Sequence, residues 1–376
     1  MPLYPLYALF FADHGMSGAE ISALFAVWSV TGLVAEVPSG ALSDRFSRRR
    51  VLAAGGVLQA AAYALWLLAP GFPGFVAGFV LWGVATSLFS GTVEALVHEA
   101  LSAAGAADRY AGVRGLVTAA GHAAQVPSAA ASVLVATGGY ALVGWVSVGT
   151  CLAAALLTCA FPDPPRAGPP DDGEGTEDTT GETVGDAAED LSYGQTLRAG
   201  LAEAVGSRAV RGALLAAALV GGADALEEYF PLIVGQQESV ALVAVPGLLV
   251  LVALAGAAGA ALGGRAGGLR GGGLAALVFL AAAALLAAGH GGAGAAGLAA
   301  LGTYYALQQC AQVVTDTRVQ ERLSGRARAT STSVSALGTE LVALAVFTAW
   351  GLGGTPAVAV GLLALAPALW WLLRRA

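Results

Sequence analysis

The chain is divided into predominantly apolar runs of about 20 residues, rich in Ala, Leu and Val, with most of its charge in the turns and in one long acidic stretch between them. That division fixes the fold class before any motif is considered. A bilayer core is about 30 Å thick and takes about 20 helical residues to cross. In lipid, only helices and closed barrels satisfy every backbone donor and acceptor. The runs are continuous and do not alternate apolar with polar positions, which selects helices over strands. Charged residues make up 11% of the chain, against roughly a quarter in soluble domains, too few to coat a water-exposed surface. The sequence therefore reads as an all-α integral membrane protein.

Eleven of the runs are long enough to span, at about 19–41, 51–69, 72–97, 113–136, 140–161, 213–234, 240–262, 273–288, 293–314, 329–350 and 356–373. The first run, 1–12, is shorter, and it lacks the basic region and small-residue cleavage site of a signal peptide. It reads as the outer half of a first spanning helix whose beginning is missing, as a downstream start codon would produce. The division is then six plus six: an N-terminal bundle at 1–161 and a C-terminal bundle at 209–376. Between them, 162–208 is rich in Pro, Gly, Asp and Glu and holds ten acidic residues from Asp163 to Asp190. Such a composition buries too little apolar surface to fold, so the segment reads as an acidic cytoplasmic linker, with a possible amphipathic helix at 191–211. It also accounts for the net charge of −7, which therefore says nothing about partners.

Every basic residue is Arg, and the arginines fall after spans two, four, six, eight and ten and at the C-terminus. Under the positive-inside rule this one-sided pattern puts those turns, and both termini, in the cytoplasm of a multi-pass cell-membrane protein. Cys151, Cys159 and Cys310 lie in apolar runs without metal-ligand spacing and read as free thiols.

The most charged turn is Gly40-Ala41-Leu42-Ser43-Asp44-Arg45-Phe46-Ser47-Arg48-Arg49-Arg50, between spans two and three. A faded copy, Ala260-Ala261-Leu262-Gly263-Gly264-Arg265, follows span eight. Glu99 after span four is echoed by Asp316 after span ten, and Arg114 by Arg328. These offsets are those of two repeated halves around a central pathway.

The pattern G-x-L-x-D-R-x-x-R-R-R, at this topological place, resembles the signature loop of the major facilitator superfamily of secondary transporters. The strings Glu36-Val37-Pro38-Ser39-Gly40, Gly91-Thr92-Val93-Glu94, Glu228-Tyr229-Phe230-Pro231 and Arg328-Ala329-Thr330 look like a bacterial branch of it. The resemblance implies a twelve-helix fold of two pseudo-symmetric bundles and alternating access driven by an ion gradient. It also implies a conformational latch of Gly40, Asp44, Arg45, Arg48 and Glu99. In that latch Asp44 would cap a neighbouring helix N-terminus, where the dipole favours a carboxylate, and Arg48 or Arg45 would pair with Glu99. For Arg49 and Arg50 the plainer role is anchoring at the cytoplasmic face.

Coupling to an ion gradient needs titratable groups inside the bundle, where they are costly. Asp224, Glu227 and Glu228, at i, i+3 and i+4 on span seven, share a face of the helix. Three carboxylates so close cannot all carry charge cheaply, which suits proton binding or a cationic substrate; the alternative is a charged rim at the outer mouth. Glu36 and Glu94 line an inner cavity or bond the loop arginines. His122 is either a proton relay or a satisfied buried histidine. Glu340, on span eleven beside Thr339, is the C-terminal carboxylate to test first, and Asp13-His14 reads as a rim pair.

The expected activity is proton-coupled export of a small amphipathic or drug-like molecule by a monomer in the lipid bilayer, without cofactor, metal or nucleic acid. Proton-coupled uptake of a nutrient is the alternative, and a non-transporting receptor or scaffold is an alternative of another class. Antiporters of the resembled family carry a Gly-rich fifth helix ending in Gly-Pro; here Val126 precedes Pro127, so that motif is degenerate. Apart from Arg114, which opens span five, no Arg lies within a span, which disfavours anionic substrates. No clustered His and Cys, nucleophile–base set or phosphate loop supports an enzyme or an ATP-driven pump.

Overall fold

A computed structural model of the chain describes residues 1–106, 109, 113, 131–161, 208–237, 240–265, 269, 271–289, 294–322 and 328–373. The linker at 162–207, most of span five with His122 and Val126, and Arg374 and Arg375 lie outside the described residues. So do the side chains of Asp44 and Glu94.

All regular structure among the described residues is helical. The N-terminal half comprises α1 (Tyr7–Asp13), α2 (Gly18–Arg45), α3 (Arg48–Leu68), α4 (Phe72–Ala103) and α5 (Ala131–Cys159). The C-terminal half comprises α6 (Arg208–Ala223), α7 (Phe230–Gly235), α8 (Val245–Arg265), α9 (Gly271–Gly289), α10 (Ala295–Arg322) and α11 (Arg328–Leu373). Among the described residues, eight helical segments are long and apolar enough to cross a membrane.

Local signals set the helix ends. Ser17 and Glu20 form a reciprocal capping box that starts α2: Glu20 N–H donates to Ser17 Oγ at 3.2 Å, and Ser17 N–H to Glu20 Oε2 at 2.8 Å. Both α5 and α11 are pairs of spans joined by a Gly-Gly corner. Gly139 (φ 59°, ψ −160°) and Gly354 (φ 60°, ψ −151°) adopt a conformation open essentially only to glycine. Gly353 lies 215 positions after Gly138, and Gly354 the same distance after Gly139. The corner thus recurs at the same place in each half, with nearly the same angles.

Close helix approach relies on small residues, as expected where lipid supplies no hydrophobic drive between helices. Gly256, Gly259 and Gly263 on α8 face Tyr305, the Ala306 backbone and Cys310 of α10, and a Cβ at any of them would collide. Core packing is aromatic around α1: Phe11 lies edge-on to Trp66 at 5.0 Å, and Tyr7 packs near Phe25, Phe79 and Trp82.

The two halves meet through α2 and α11 at the arginine-poor end. Phe25 and Phe347 lie 5.6 Å apart, and Tyr229 stacks on Trp350 at 4.2 Å. Ser22 Oγ and the Tyr229 hydroxyl share a hydrogen bond of 2.8 Å, and Ser29 Oγ donates to Glu340 Oε2 at 2.5 Å. Toward the arginine-bearing end, α2 exposes Val30, Leu33 and Val34, and Gly32 and Gly40 have open space beside them. The halves are closed on each other at the arginine-poor end.

Candidate functional site

Span seven is not one continuous α-helix. α6 stops at Ala223, Asp224–Tyr229 forms a 3-10 turn, and α7 resumes with Pro231 in its first turn. Pro231 explains the break, since it has no N–H to donate and its ring clashes with the carbonyl four residues back, that of Glu227. This corrects the shared α-helical face read from the sequence. In a 3-10 helix residues i and i+3 eclipse, so Asp224 and Glu227 stack on the side of α10, while Glu228 turns about 120° away toward α1.

Each carboxylate meets a neutral donor. Gln309 Nε2 donates to Asp224 Oδ1 at 2.8 Å, and the Tyr305 hydroxyl donates to Glu227 Oε2 at 2.9 Å. The Tyr7 hydroxyl donates to Glu228 Oε2, and the Tyr4 hydroxyl lies 3.4 Å from Oε1. Tyr305 and Gln309 are one helical turn apart on α10, which aligns them with the eclipsed pair. The Glu228 bonds join the C-terminal half to α1 and the turn before it. Among the described residues, neither Asp224 nor Glu228 meets a cation.

These groups meet where the Tyr4–Tyr7 stretch, the Asp224–Tyr229 turn and α10 come together, in a partly open chamber. Tyr4 keeps 36% of its surface accessible, and the three carboxylates are half-buried. α6 has 16 residues and rises about 24 Å, so the chamber lies past the middle of a core about 30 Å thick. Leu226 and Tyr229, on the other face of the turn, are fully buried.

The remaining candidates lie in three places. Glu340 is half-buried at the α2–α11 contact, bonded to Ser29. Glu36 is exposed on α2 and accepts from Ser90 of α4 at 3.1 Å. At the arginine-bearing end, Arg48 donates to Glu99 Oε1 from Nη2 at 2.9 Å and from Nε at 3.2 Å. Its Nη1 reaches the Ser43 carbonyl and, at 2.6 Å, Ser43 Oγ, which shares a 2.8 Å bond with Thr92. Arg48 thus ties the end of α2, the start of α3 and the end of α4 together. Arg45 ends α2 and is exposed, and Gly40 lies in open space on the same helix. Asp13 accepts from the Tyr140 hydroxyl at 2.9 Å, and His14 Nδ1 contacts the Phe10 carbonyl at 2.8 Å. The cysteines are free, and no group of His, Cys, Asp and Glu among the described residues would hold a metal ion.

The sequence profile described as Major Facilitator Superfamily matches residues 1–343. The chain belongs to the major facilitator superfamily. Its fold is similar to that of a bacterial homolog of the human lysosomal transporter Spinster, solved inward-facing and unoccupied: 14% identity over 100% of this chain and 93% of that one, TM-score 0.75. It is also similar to the nucleoside transporter NupG (12% identity, 99% and 94% coverage, TM-score 0.69) and to the human organic anion transporter MFSD10 (18% identity, 98% and 89% coverage, TM-score 0.53). At these identities the likeness is one of fold. No curated protein sequence matches the chain.

For this major facilitator chain, sequence reading missed Tyr4, Tyr7, Ser29 and Gln309, and it left Tyr305 without a role. The aromatic start of the chain, with Tyr4 and Tyr7 among Phe and Leu, was the available signal for the first two. Their carboxylate partner lies 221 positions after Tyr7, a pairing that no local pattern encodes. The chain is a multi-pass membrane protein and a secondary transporter by family.

Proposed function

We propose that the protein exports a small amphipathic molecule from the cytoplasm in exchange for protons, by alternating access of bundles 1–161 and 209–376 around the chamber at Asp224, Glu227 and Glu228. The observation that carries this reading is the bond between Glu228 and Tyr7, which joins the halves through a carboxylate. An ionised carboxylate accepts strong, charge-assisted hydrogen bonds, about twice as strong as neutral ones. While charged, Glu228 and Glu340 therefore hold the arginine-poor end shut and leave the chamber facing the cytoplasm.

Neutralising these groups, by a proton or by a bound substrate, weakens the clasp and lets that end open. An empty, charged transporter stays locked, so crossing requires one occupant or the other. That is the condition for coupled exchange, since a ligand shifts an equilibrium only through its differential affinity for the two states. The arginine pattern supports a cytoplasmic placement of the arginine-bearing end, the linker at 162–208 and both termini. Asp44, with Arg48 and Glu99, would latch the opposite, outward-open state. No cofactor is required, because the proton gradient supplies the drive.

The test uses purified protein in proteoliposomes with an imposed pH gradient, and substrates drawn from a drug-susceptibility screen. Asp44→Asn and Glu340→Gln are each expected to abolish gradient-driven transport without loss of folded protein. Unchanged transport in both would sink the reading.

A further inference from the structure

The chamber holds more than its carboxylates. On the N-terminal side Tyr4 and Trp82 lie 6.1 Å apart and Tyr7 and Trp82 5.8 Å apart, while Tyr63 closes on Trp82 at 5.1 Å and on Trp66 at 5.4 Å. Tyr63 is fully buried, and its hydroxyl has no hydrogen-bond partner. That hydroxyl lies within electrostatic range of Glu228, Tyr4 and Tyr7, with Cys151 behind it. An orphaned buried hydroxyl costs about 1–3 kcal/mol, so a polar atom belongs beside it. Buried Gln312 Oε1, one turn along α10 from Gln309, also lacks a donor.

The charge balance is as one-sided as the polarity. Asp224 and Glu228 are bonded to the neutral donors Gln309, Tyr4 and Tyr7, and the side next to Glu228 is aromatic. Ring faces attract cations, by about 0.5–2 kcal/mol each, and repel anions. Among the described residues the site therefore supplies carboxylates, aromatic side chains and unfilled hydrogen-bond positions, and no cation meets Asp224 or Glu228.

We propose that the chamber between the Tyr4–Tyr7 stretch, Tyr63, the Asp224–Tyr229 turn and α10 is the substrate site, and that its substrates are small organic cations. The cationic centre sits between Glu228 and Asp224. The apolar body lies against Tyr4 and Trp82, and a polar substituent, where the substrate has one, meets the Tyr63 hydroxyl. This assignment deepens the export reading and rests on it for direction and drive.

Equilibrium binding to the full chain in lipid nanodiscs tests it, with tetraphenylphosphonium as probe and the near-isosteric anion tetraphenylborate as control. The cation is expected to bind saturably and to be displaced by ethidium, with tetraphenylborate at least a hundredfold weaker. Glu228→Gln and Asp224→Asn should each weaken the cation at least tenfold. Tyr4→Phe keeps the ring and should stay within threefold, whereas Tyr4→Leu should lose more than tenfold. Thermal unfolding and gel filtration of each variant separate a lost site from a lost fold, and the Tyr4 pair tests the same wall without touching a carboxylate. Equal binding of both ions, or cation binding unchanged in both carboxylate variants, overturns the assignment. Saturable, carboxylate-dependent binding without gradient-driven movement in proteoliposomes would overturn the export reading and support the site. Movement of a neutral or anionic solute by a protein that does not bind the cation would overturn the site alone.

Discussion

Replacing Ser29 by alanine removes one hydroxyl from the contact that closes the arginine-poor end. Its Oγ donates to Glu340 Oε2 at 2.5 Å, from the N-terminal half to the C-terminal half. A hydrogen bond to a charged group contributes about 1.5–3 kcal/mol. Glu340 is half-buried, so water takes over part of the lost bond and the low end, about 1.5 kcal/mol, applies. Since about 1.4 kcal/mol is tenfold in an equilibrium constant, the ratio of closed to open at that end should fall about tenfold. Adding Ser22→Ala removes the 2.8 Å bond to Tyr229, worth about 0.5–1.5 kcal/mol. Seven residues separate the two serines on α2, about 10 Å, so the effects should add and reach about 30- to 100-fold. Nitroxide labels at Ala69 and Leu352, both exposed at this end, report the populations by pulsed dipolar spectroscopy. The long-distance fraction should grow from parent to single to double variant, while Ser29→Thr, which keeps the hydroxyl, should resemble the parent. Identical distance distributions in parent and double variant, with both folded, would refute the view that these bonds hold the end shut.

Three other perturbations address the scaffold. Gly354→Ala forces a side chain into a conformation with φ of 60° and should cost about 1–3 kcal/mol of stability, read as a lower Tm, whereas Gly149→Ala, with open space around it, should leave Tm unchanged. Arg48→Ala, Glu99→Gln and their combination form a double-mutant cycle; side chains 12% and 26% exposed place the coupling between surface and buried pairs, at about 1–2 kcal/mol, and zero coupling in thermal unfolding would contradict the contact. Pro231→Ala lets span seven continue as an α-helix, which swings Glu228 off Tyr7; transport should fall more than tenfold with Tm unchanged or raised, and full activity would show that the 3-10 turn is dispensable.

The span pattern was legible because lipid leaves a chain so little choice. The expected breaks between Ala136 and Tyr140 and between Trp350 and Pro356 fall on Gly138–Gly139 and Gly353–Gly354, where glycine both ends a helix and permits the reversal. The acidic trio stood out too, because carboxylates are costly in a spanning run. Their arrangement was not legible. Helical spacing puts Asp224, Glu227 and Glu228 on one face, and only the clash introduced by Pro231 divides them between α10 and α1. Pro231 was in plain view, but whether a proline kinks a helix, ends it or tightens the preceding turn depends on the neighbours that receive the freed groups. Tyr63 was less readable still, since an aromatic in a spanning run is nearly always packing, and only its unsatisfied hydroxyl sets it apart.

The paired Gly-Gly corners also bear on how the protein can be handled. At each of them two membrane helices turn back on themselves through two residues, and α3 passes to α4 through three, Ala69, Pro70 and Gly71. These three turns have little slack for a protease to thread or for an antibody loop to grip. An affinity reagent that binds at these turns touches the helix ends they join, so it would report, or trap, one conformation.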